Sequence, residues 1–307
     1  MILSVSRRTD IPAYYSDWFF NRIKEGFVLV RNPMNFRQIS RVNIAPNIVD
    51  GIVFWTKNPA PMLTRLNELH DYMYYFQFSV TPYGKDIEQN LPQKNPDILS
   101  TFKEVSEIVG NDRIIWRYDP ILINTKYSAA YHLSAFEKIA KALHKHTKKV
   151  TISFIDTDYK GLKSNADKLN LTTLTSQMQT KLAHALASIA HKYNLTIDTC
   201  AEEIDLQEHG IGKARCINGR LFSKLLSHNL SIPKDKNQRT QCGCISSIDI
   251  GMYNTCMNGC LYCYANYNKK TVAGNFAKHN PLSPLLFGEI TPDDKITNRI
   301  VKAYRTI

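Results

Sequence analysis

The chain has 307 residues, 43% of them hydrophobic and 10% aromatic, which permits a sizeable globular core and excludes a disordered or fibrous class. No apolar run approaches the roughly 18 residues of a membrane span, and the start, Met-Ile-Leu-Ser-Val-Ser-Arg-Arg, lacks the basic-then-apolar pattern of a signal peptide. A cytoplasmic protein without membrane association is therefore expected. The net charge of +12 favours anionic partners such as nucleic acid, nucleotides or acidic proteins.

The predicted elements alternate between strand and helix. Ile2–Val5 is a short apolar strand ending in Ser-Arg-Arg-Thr-Asp. Ser16 or Asp17 is positioned to cap a helix running through Ile23, with Gly26 as its stop. Phe27–Val30 and Gln38–Ile44 read as two short strands of an insertion, and Gly51–Trp55 as the next strand of the series, followed by a helix near Met62–Leu69. Tyr74–Val80 is a third strand; Ser100 or Thr101 with Glu104 then resembles a capping box for a helix that Gly110 ends. Arg113–Trp116, Val150–Ile155 and Leu195–Thr199 complete six strands. Between them lie apolar helical stripes at Phe136, Ile139, Ala140 and Leu143, and at Met178, Leu182, Ala185, Leu186, Ile189 and Tyr193. A short helix is expected at Leu221–Leu226.

Six alternations predict a parallel α/β sheet. No Gly-rich first turn of the dinucleotide-binding kind is present, so a partial or full TIM-like (β/α) barrel is expected rather than a doubly wound sheet. Residues 1–240 would form the barrel body, and a cysteine-rich segment, 241–307, would complete the same domain.

In such a barrel the chemistry gathers where the strands end. Arg7, Arg8 and Asp10, then Lys57, then Arg117 and Asp119, then Glu202 follow successive predicted strands and are the candidate catalytic residues. The bland reading of each is a solvated loop residue. Together, Arg7, Arg8, Lys57 and Arg117 would make the mouth attract anions. A second basic feature lies between Lys213 and Arg239, where seven basic residues accompany one acid, Asp235.

Seven cysteines, an odd number without a secretion signal, argue against a disulfide framework. Five of the seven lie between positions 242 and 263, which points to a metal. Cys256, Cys260 and Cys263 are spaced C-x3-C-x2-C. Three thiolates can ligate three irons of a cubane and leave the fourth open, a catalytic arrangement more than an electron-transfer one. Zinc is the alternative, but it prefers four ligands, typically in two close pairs.

This loop, with Tyr262 before the last cysteine, is similar to the cluster loop of the radical S-adenosylmethionine superfamily, and its Tyr-Cys-Tyr ending looks like that of spore photoproduct lyase and its relatives. The whole chain also resembles an uncharacterised bacterial family, domain of unknown function 1848. The matching stretches are Ser6-Arg-Arg-Thr-Asp-Ile-Pro, Phe54-Trp-Thr-Lys-Asn-Pro, Trp116-Arg-Tyr-Asp-Pro, Cys200-Ala-Glu and Cys242-Gly-Cys through Cys263-Tyr-Ala. The superfamily resemblance implies a [4Fe–4S] cluster on Cys256, Cys260 and Cys263. It implies S-adenosylmethionine chelated at the open iron, a 5′-deoxyadenosyl radical, and a flavodoxin or ferredoxin as electron donor. Asn258, Gly259, Tyr262 and Tyr264 would be the cofactor-binding residues.

In the superfamily the loop usually follows the first strand, whereas here it comes last. A circular permutation would account for this, with Ser247–Tyr253 as the strand preceding the loop. No Gly-Gly-Glu stretch of the kind that commonly contacts the methionine amine is present. Cys200, Cys216, Cys242 and Cys244 remain, the number that saturates a second [4Fe–4S] cluster or a structural zinc. Buried inert thiols are the bland reading of Cys200 and Cys216. The sequence thus leads to a radical enzyme, lyase or oxidoreductase in type and akin to DNA repair enzymes. Its substrate would be nucleic acid or another anion. The rival is a non-catalytic nucleic-acid-binding module stabilised by zinc or an iron–sulfur cluster.

Overall fold

The computed structural model describes residues 1–158, 162 and 165–305, so the last two residues of the expected cysteine-rich segment lie outside it. Strand β1 (Ile2–Val5) leads into helices α1 (Ile11–Tyr14) and α2 (Ser16–Glu25), then hairpin strands β2 (Phe27–Asn32) and β3 (Asn35–Asn43). Strand β4 (Gly51–Thr56), a 3₁₀ helix (Ala60–Leu69), β5 (Tyr74–Ser79), α3 (Leu99–Val109) and β6 (Ile114–Ile121) follow. Next come α4 (Ala129–Leu143), β7 (Lys149–Phe154), α5 (Ala166–Leu169), α6 (Ser176–Lys192) and β8 (Thr196–Thr199). The chain ends with β9 (Gly212–Lys213), α7 (Gly219–Leu226), β10 (Ile248–Asp249), α8 (Lys269–Ala277) and β11 (Lys295–Asn298).

Eight strands form one parallel sheet in the order β10-β1-β4-β5-β6-β7-β8-β9. The six expected strands occupy its centre in chain order, and two strands of two residues each extend its edges. The sheet ends at β9 and β10, as a partial α/β barrel would; closure into a full barrel is not observed. Strand β10, which precedes the C-x3-C-x2-C loop, lies parallel to β1 with Leu3 opposite Ile248 and Ser4 opposite Asp249. The insertion hairpin stands apart in a second sheet, β11-β3-β2.

Local details differ from the expectations for physical reasons. Helix α2 does end at Gly26, whose φ of 75° suits a residue without Cβ. Its N-cap, however, is Tyr15 with no side-chain cap, because Asp10 starts a separate turn at Ile11 by accepting from the Ala13 N–H. Ser100 and Thr101 cap nothing: a π-helical turn at Lys94–Ile98 runs directly into α3, so both already lie inside the helix. The segment after β4 is 3₁₀ rather than α-helical.

The two sheet faces differ in chemistry. Leu3, Val5, Ile52, Phe54, Phe76, Trp116 and Ile152 pack in the large core beneath the helices. Ile2, Val53, Tyr75 and Ile115 point the other way, against Phe222 of α7 and Cys216. Parallel strands covered on both faces are usually apolar throughout. Here the second face turns polar toward the C-terminal strand ends. Ser4, Gln77, Arg117, Thr151 and Asp198 are all buried there, and register keeps them on one side of the sheet.

Candidate functional site

The polar face opens on a cavity of about 330 Å³, at the small end of the range for ligand pockets. Its wall includes all seven cysteines. It also includes Arg7, Arg8 and Asp10 after β1, Lys57 after β4, Arg117 and Asp119 on β6, and Glu202 after β8. Asn258, Tyr262 and Tyr264 of the cysteine loop line it too, whereas Gly259 does not. The sequence therefore located the groups that share this cavity, although it assigned several of them different work.

Asp10 and Asn258 hold the loop. The fully buried Asp10 carboxylate accepts from the Ala13 N–H at 3.2 Å, the Lys57 N–H at 2.7 Å and the Asn258 amide at 3.0 Å. Asn258 in turn accepts from the Tyr14 hydroxyl at 2.9 Å. On the other side the loop pairs with the segment after β5. Asn90 N–H donates to the Asn258 carbonyl, Leu261 N–H to that of Ile87, and the Asn90 side chain to that of Met257. Gly259 has φ +66°, and a Cβ there would stand 2.9 Å from the Asn90 amide nitrogen. Glycine is required by both conformation and space. Burial, which disfavours the charge, raises the Asp10 carboxyl above its ordinary range.

Burial raises all three thiols of the loop, Cys256 to about 12 with Asp10 and Cys263 adding to it. Backbone N–H groups of Asn258 and Asp10 point at the Cys256 sulfur, and those of Ala265 and Asn266 at the Cys263 sulfur.

Three of the four expected mouth cations stand against carboxylates. Lys57 binds Glu88 at 2.8 Å, and Arg117 pairs with Asp119. Arg7 lies 3.5 Å from Asp235 and 4.0 Å from Asp249. Arg8 reaches the Gly251 carbonyl at 3.4 Å and sits over the Tyr253 ring. Glu88 is wholly buried and also accepts from Lys94, Thr81 and the Tyr262 hydroxyl. Burial alone would raise it, but Lys57 and Lys94 outweigh that and hold it at about 2. Tyr262 is thereby tied to Glu88, and the Tyr264 hydroxyl to the Arg7 carbonyl. Glu202 accepts from the Phe154 N–H at 2.8 Å. Burial, with Asp119 and Asp156 nearby, raises its carboxyl to about 7.

The remaining four cysteines also meet. The sulfurs of Cys200 and Cys216 are 3.3 Å apart, and Cys242 and Cys244 lie in the same buried cluster. The Arg117 guanidinium donates to the Cys216 sulfur at 2.9 Å. All seven cysteines are free thiols. Among the described residues, no group of three or more His, Cys, Asp or Glu side chains is disposed to hold a metal ion. Of the basic stretch, Lys213, Arg220, Lys224, Lys234, Lys236 and Arg239 are exposed; Lys224 pairs with Asp112 and Arg239 with Asp156. No helix among the described residues is long and apolar enough to cross a membrane.

Two important carboxylates were absent from the sequence-based candidates. Asp249 on β10 accepts from Ser4, Ser6 and the Arg7 N–H and so ties β1 to the strand before the loop. Glu88 does the same for the loop itself. Asp249 carries a weak signal, a lone acid inside an apolar run, and Glu88 carries none.

The family model described as Domain of unknown function (DUF1848) matches residues 2–265. No curated protein and no solved structure matches the chain.

Proposed function

The chain belongs to the DUF1848 family, and from that premise we propose that it is a radical S-adenosylmethionine enzyme of lyase or oxidoreductase type whose [4Fe–4S] cluster is held by Cys256, Cys260 and Cys263. One observation carries the reading. Three half-buried thiols, on a loop fixed by Asp10, Asn258 and Asn90, open together on one cavity at the C-terminal ends of a parallel sheet.

The donor set suits such a group. Burial keeps these thiols protonated, so three thiolates side by side require a bound cationic centre to compensate them. In a cubane each thiolate binds a different iron, so the sulfurs need not converge on one point as ligands of a single ion must. Backbone N–H groups aimed at sulfur are one of the means by which a protein tunes such a centre. When bound, the reduced cluster and S-adenosylmethionine would together supply one-electron cleavage of the sulfonium and a hydrogen-abstracting 5′-deoxyadenosyl radical.

The chain's own residues divide the remaining work. Asp10 and Asn258 fix the loop, and Glu88 neutralises Lys57 beneath it. Glu202, with a carboxyl near 7, is the carboxyl group in the cavity able to hold or release a proton at neutral pH. The pairing of β10 with β1 supports a permuted partial barrel, in which the strand preceding the loop regains first place in the sheet. A reduced flavodoxin or ferredoxin would supply the electron. An anionic substrate such as nucleic acid would engage the exposed cations Lys213, Arg220, Lys234 and Lys236. Those same exposed cations favour the second reading, a metal-stabilised nucleic-acid-binding module.

The test is anaerobic reconstitution with iron and sulfide, addition of dithionite and S-adenosylmethionine, and measurement of 5′-deoxyadenosine against a Cys260→Ala control. Product above the control supports the enzyme. A colourless wild-type protein that retains stoichiometric zinc and forms no product supports the module.

A further inference from the structure

The coil between α7 and β10 runs from Ser227 to Ser247 with no regular helix or strand, ordered by a bridge between Lys234 and Ile245 and by backbone hydrogen bonds from Asp235 to Cys244 and from Ser246 to Pro233. Structureless loops beyond roughly 12–15 residues are uncommon in compact domains and need either a function or a fastening. This one carries Cys242 and Cys244, both buried, against Cys200 and Cys216 at the sheet edge. Cys200 continues β8 through its N–H bond to the Ile152 carbonyl at 2.9 Å, and Cys216 lies three residues past β9. Four thiols from three separated segments thus gather in one buried cluster: Cys200, Cys216, Cys244 and Cys242.

The surroundings hold this cluster in place. The Cys216 carbonyl accepts from the Tyr75 hydroxyl at 2.6 Å and the Gln77 amide at 2.8 Å. The Ile217 N–H donates to the Cys244 sulfur at 3.3 Å. Gly243 lets the Cys-Gly-Cys turn approach closely, since a Cβ there would meet the Ala214 carbonyl oxygen at 3.0 Å. The guanidinium of Arg117, 2.9 Å from the Cys216 sulfur, supplies positive charge on the cavity side.

We propose that Cys200, Cys216, Cys242 and Cys244 form a second, protein-saturated thiolate site for a thiophilic metal, separate from the three-cysteine loop, and that this site fastens the 227–247 coil to the sheet edge. The proposal does not rest on the radical reading. The Cys200–Cys216 separation of 3.3 Å lies far outside the roughly 2.05 Å of a disulfide. It approaches the separation of about 3.8 Å between two thiolates on a tetrahedral zinc with Zn–S near 2.3 Å. A single ion of the zinc class is therefore the expected occupant. No group among the described residues converges as an ion's ligands do, so side-chain rotation of the cysteines is the movement that closes the site.

The experiment uses the full chain with Cys256→Ala, Cys260→Ala and Cys263→Ala combined, purified anaerobically and analysed for zinc, iron and sulfide. About one zinc per chain is expected to remain. Four irons with four sulfides instead would keep the site and identify its occupant as a cluster. Adding Cys216→Ser should remove at least nine-tenths of that metal. It should also speed tryptic cleavage at Lys234, Lys236 or Arg239 at least tenfold. Because Cys216→Ser can itself impair folding, chelation of the triple variant is the second arm, and should speed the same cleavage while the circular dichroism of the sheet persists. A folded triple variant that neither retains nor takes up zinc or iron overturns the proposal. Loss of S-adenosylmethionine cleavage in that variant bears only on the loop, so the two readings fail separately.

Discussion

The two groups of thiols line one cavity yet are built in opposite ways. Cys256, Cys260 and Cys263 sit on one short loop within eight residues of chain. Their fixed geometry is local, and long-range partners hold the loop as a unit: Asp10 from β1, and Glu88 and Asn90 from the segment after β5. Cys200, Cys216, Cys242 and Cys244 come from distant segments and gather in one buried cluster. On the proposed reading, three local thiols would leave a coordination position open for chemistry, whereas four non-local ones would saturate a centre and join pieces of chain. The difference would separate a site organised for reaction from one organised for fastening.

The largest expected effect breaks the comparison at its centre. Cys260→Ala should lower S-adenosylmethionine cleavage by at least about 100-fold, more than the loss of a supporting group costs, while leaving metal on the other four cysteines. Metal analysis and product assay on one preparation check both halves. Asn258→Ala sharpens the contrast, because Asn258 positions the loop without offering a metal ligand. Cluster retention should fall by about 10-fold, measured as iron per chain, with thermal unfolding little changed. In Gly259→Ala the strain is conformational, since a Cβ must enter the left-handed region and meet Asn90. A loss of about 2 kcal/mol is expected from urea unfolding.

His132 belongs to neither group and serves as the outside reference. It is fully buried between the Tyr118 hydroxyl and the Leu122 carbonyl, and burial lowers it to about 4. A folded value below the unfolded one of about 6.5 means that the unfolded chain takes up the proton first. The stability that neutral His132 confers is therefore intact above about pH 6.5 and is lost as pH falls toward 4. Between pH 7 and 5.5 the loss should be about 1 kcal/mol. His132→Gln should flatten that difference in urea unfolding at the two pH values.

Much of the sheet was legible because its six central strands are apolar runs bounded by turn residues or helical stripes. Its edges were not. Strands β9 and β10 have two residues each, too few to show a period, and they exist because neighbouring strands offer a ladder. The cysteine loop was legible from spacing alone, since its geometry is local. Its supports were not, because Asp10 looked like a charged mouth residue and Glu88 like an ordinary loop acid, and only the fold brings them to the loop from more than 170 positions away. The partners of the mouth cations were hidden for the same reason. Counting Arg7, Lys57 and Arg117 in the sequence cannot reveal that Asp235, Glu88 and Asp119 stand against them.

The central claim is that the three-cysteine loop holds a cluster with one iron open to S-adenosylmethionine. Electron paramagnetic resonance of the anaerobically reconstituted, dithionite-reduced protein tests it most directly, recorded before and after S-adenosylmethionine is added. The account predicts a [4Fe–4S]⁺ signal that changes on addition of S-adenosylmethionine and is absent when Cys256, Cys260 and Cys263 are replaced by alanine. A signal that ignores S-adenosylmethionine, or that survives in the triple variant, would contradict it.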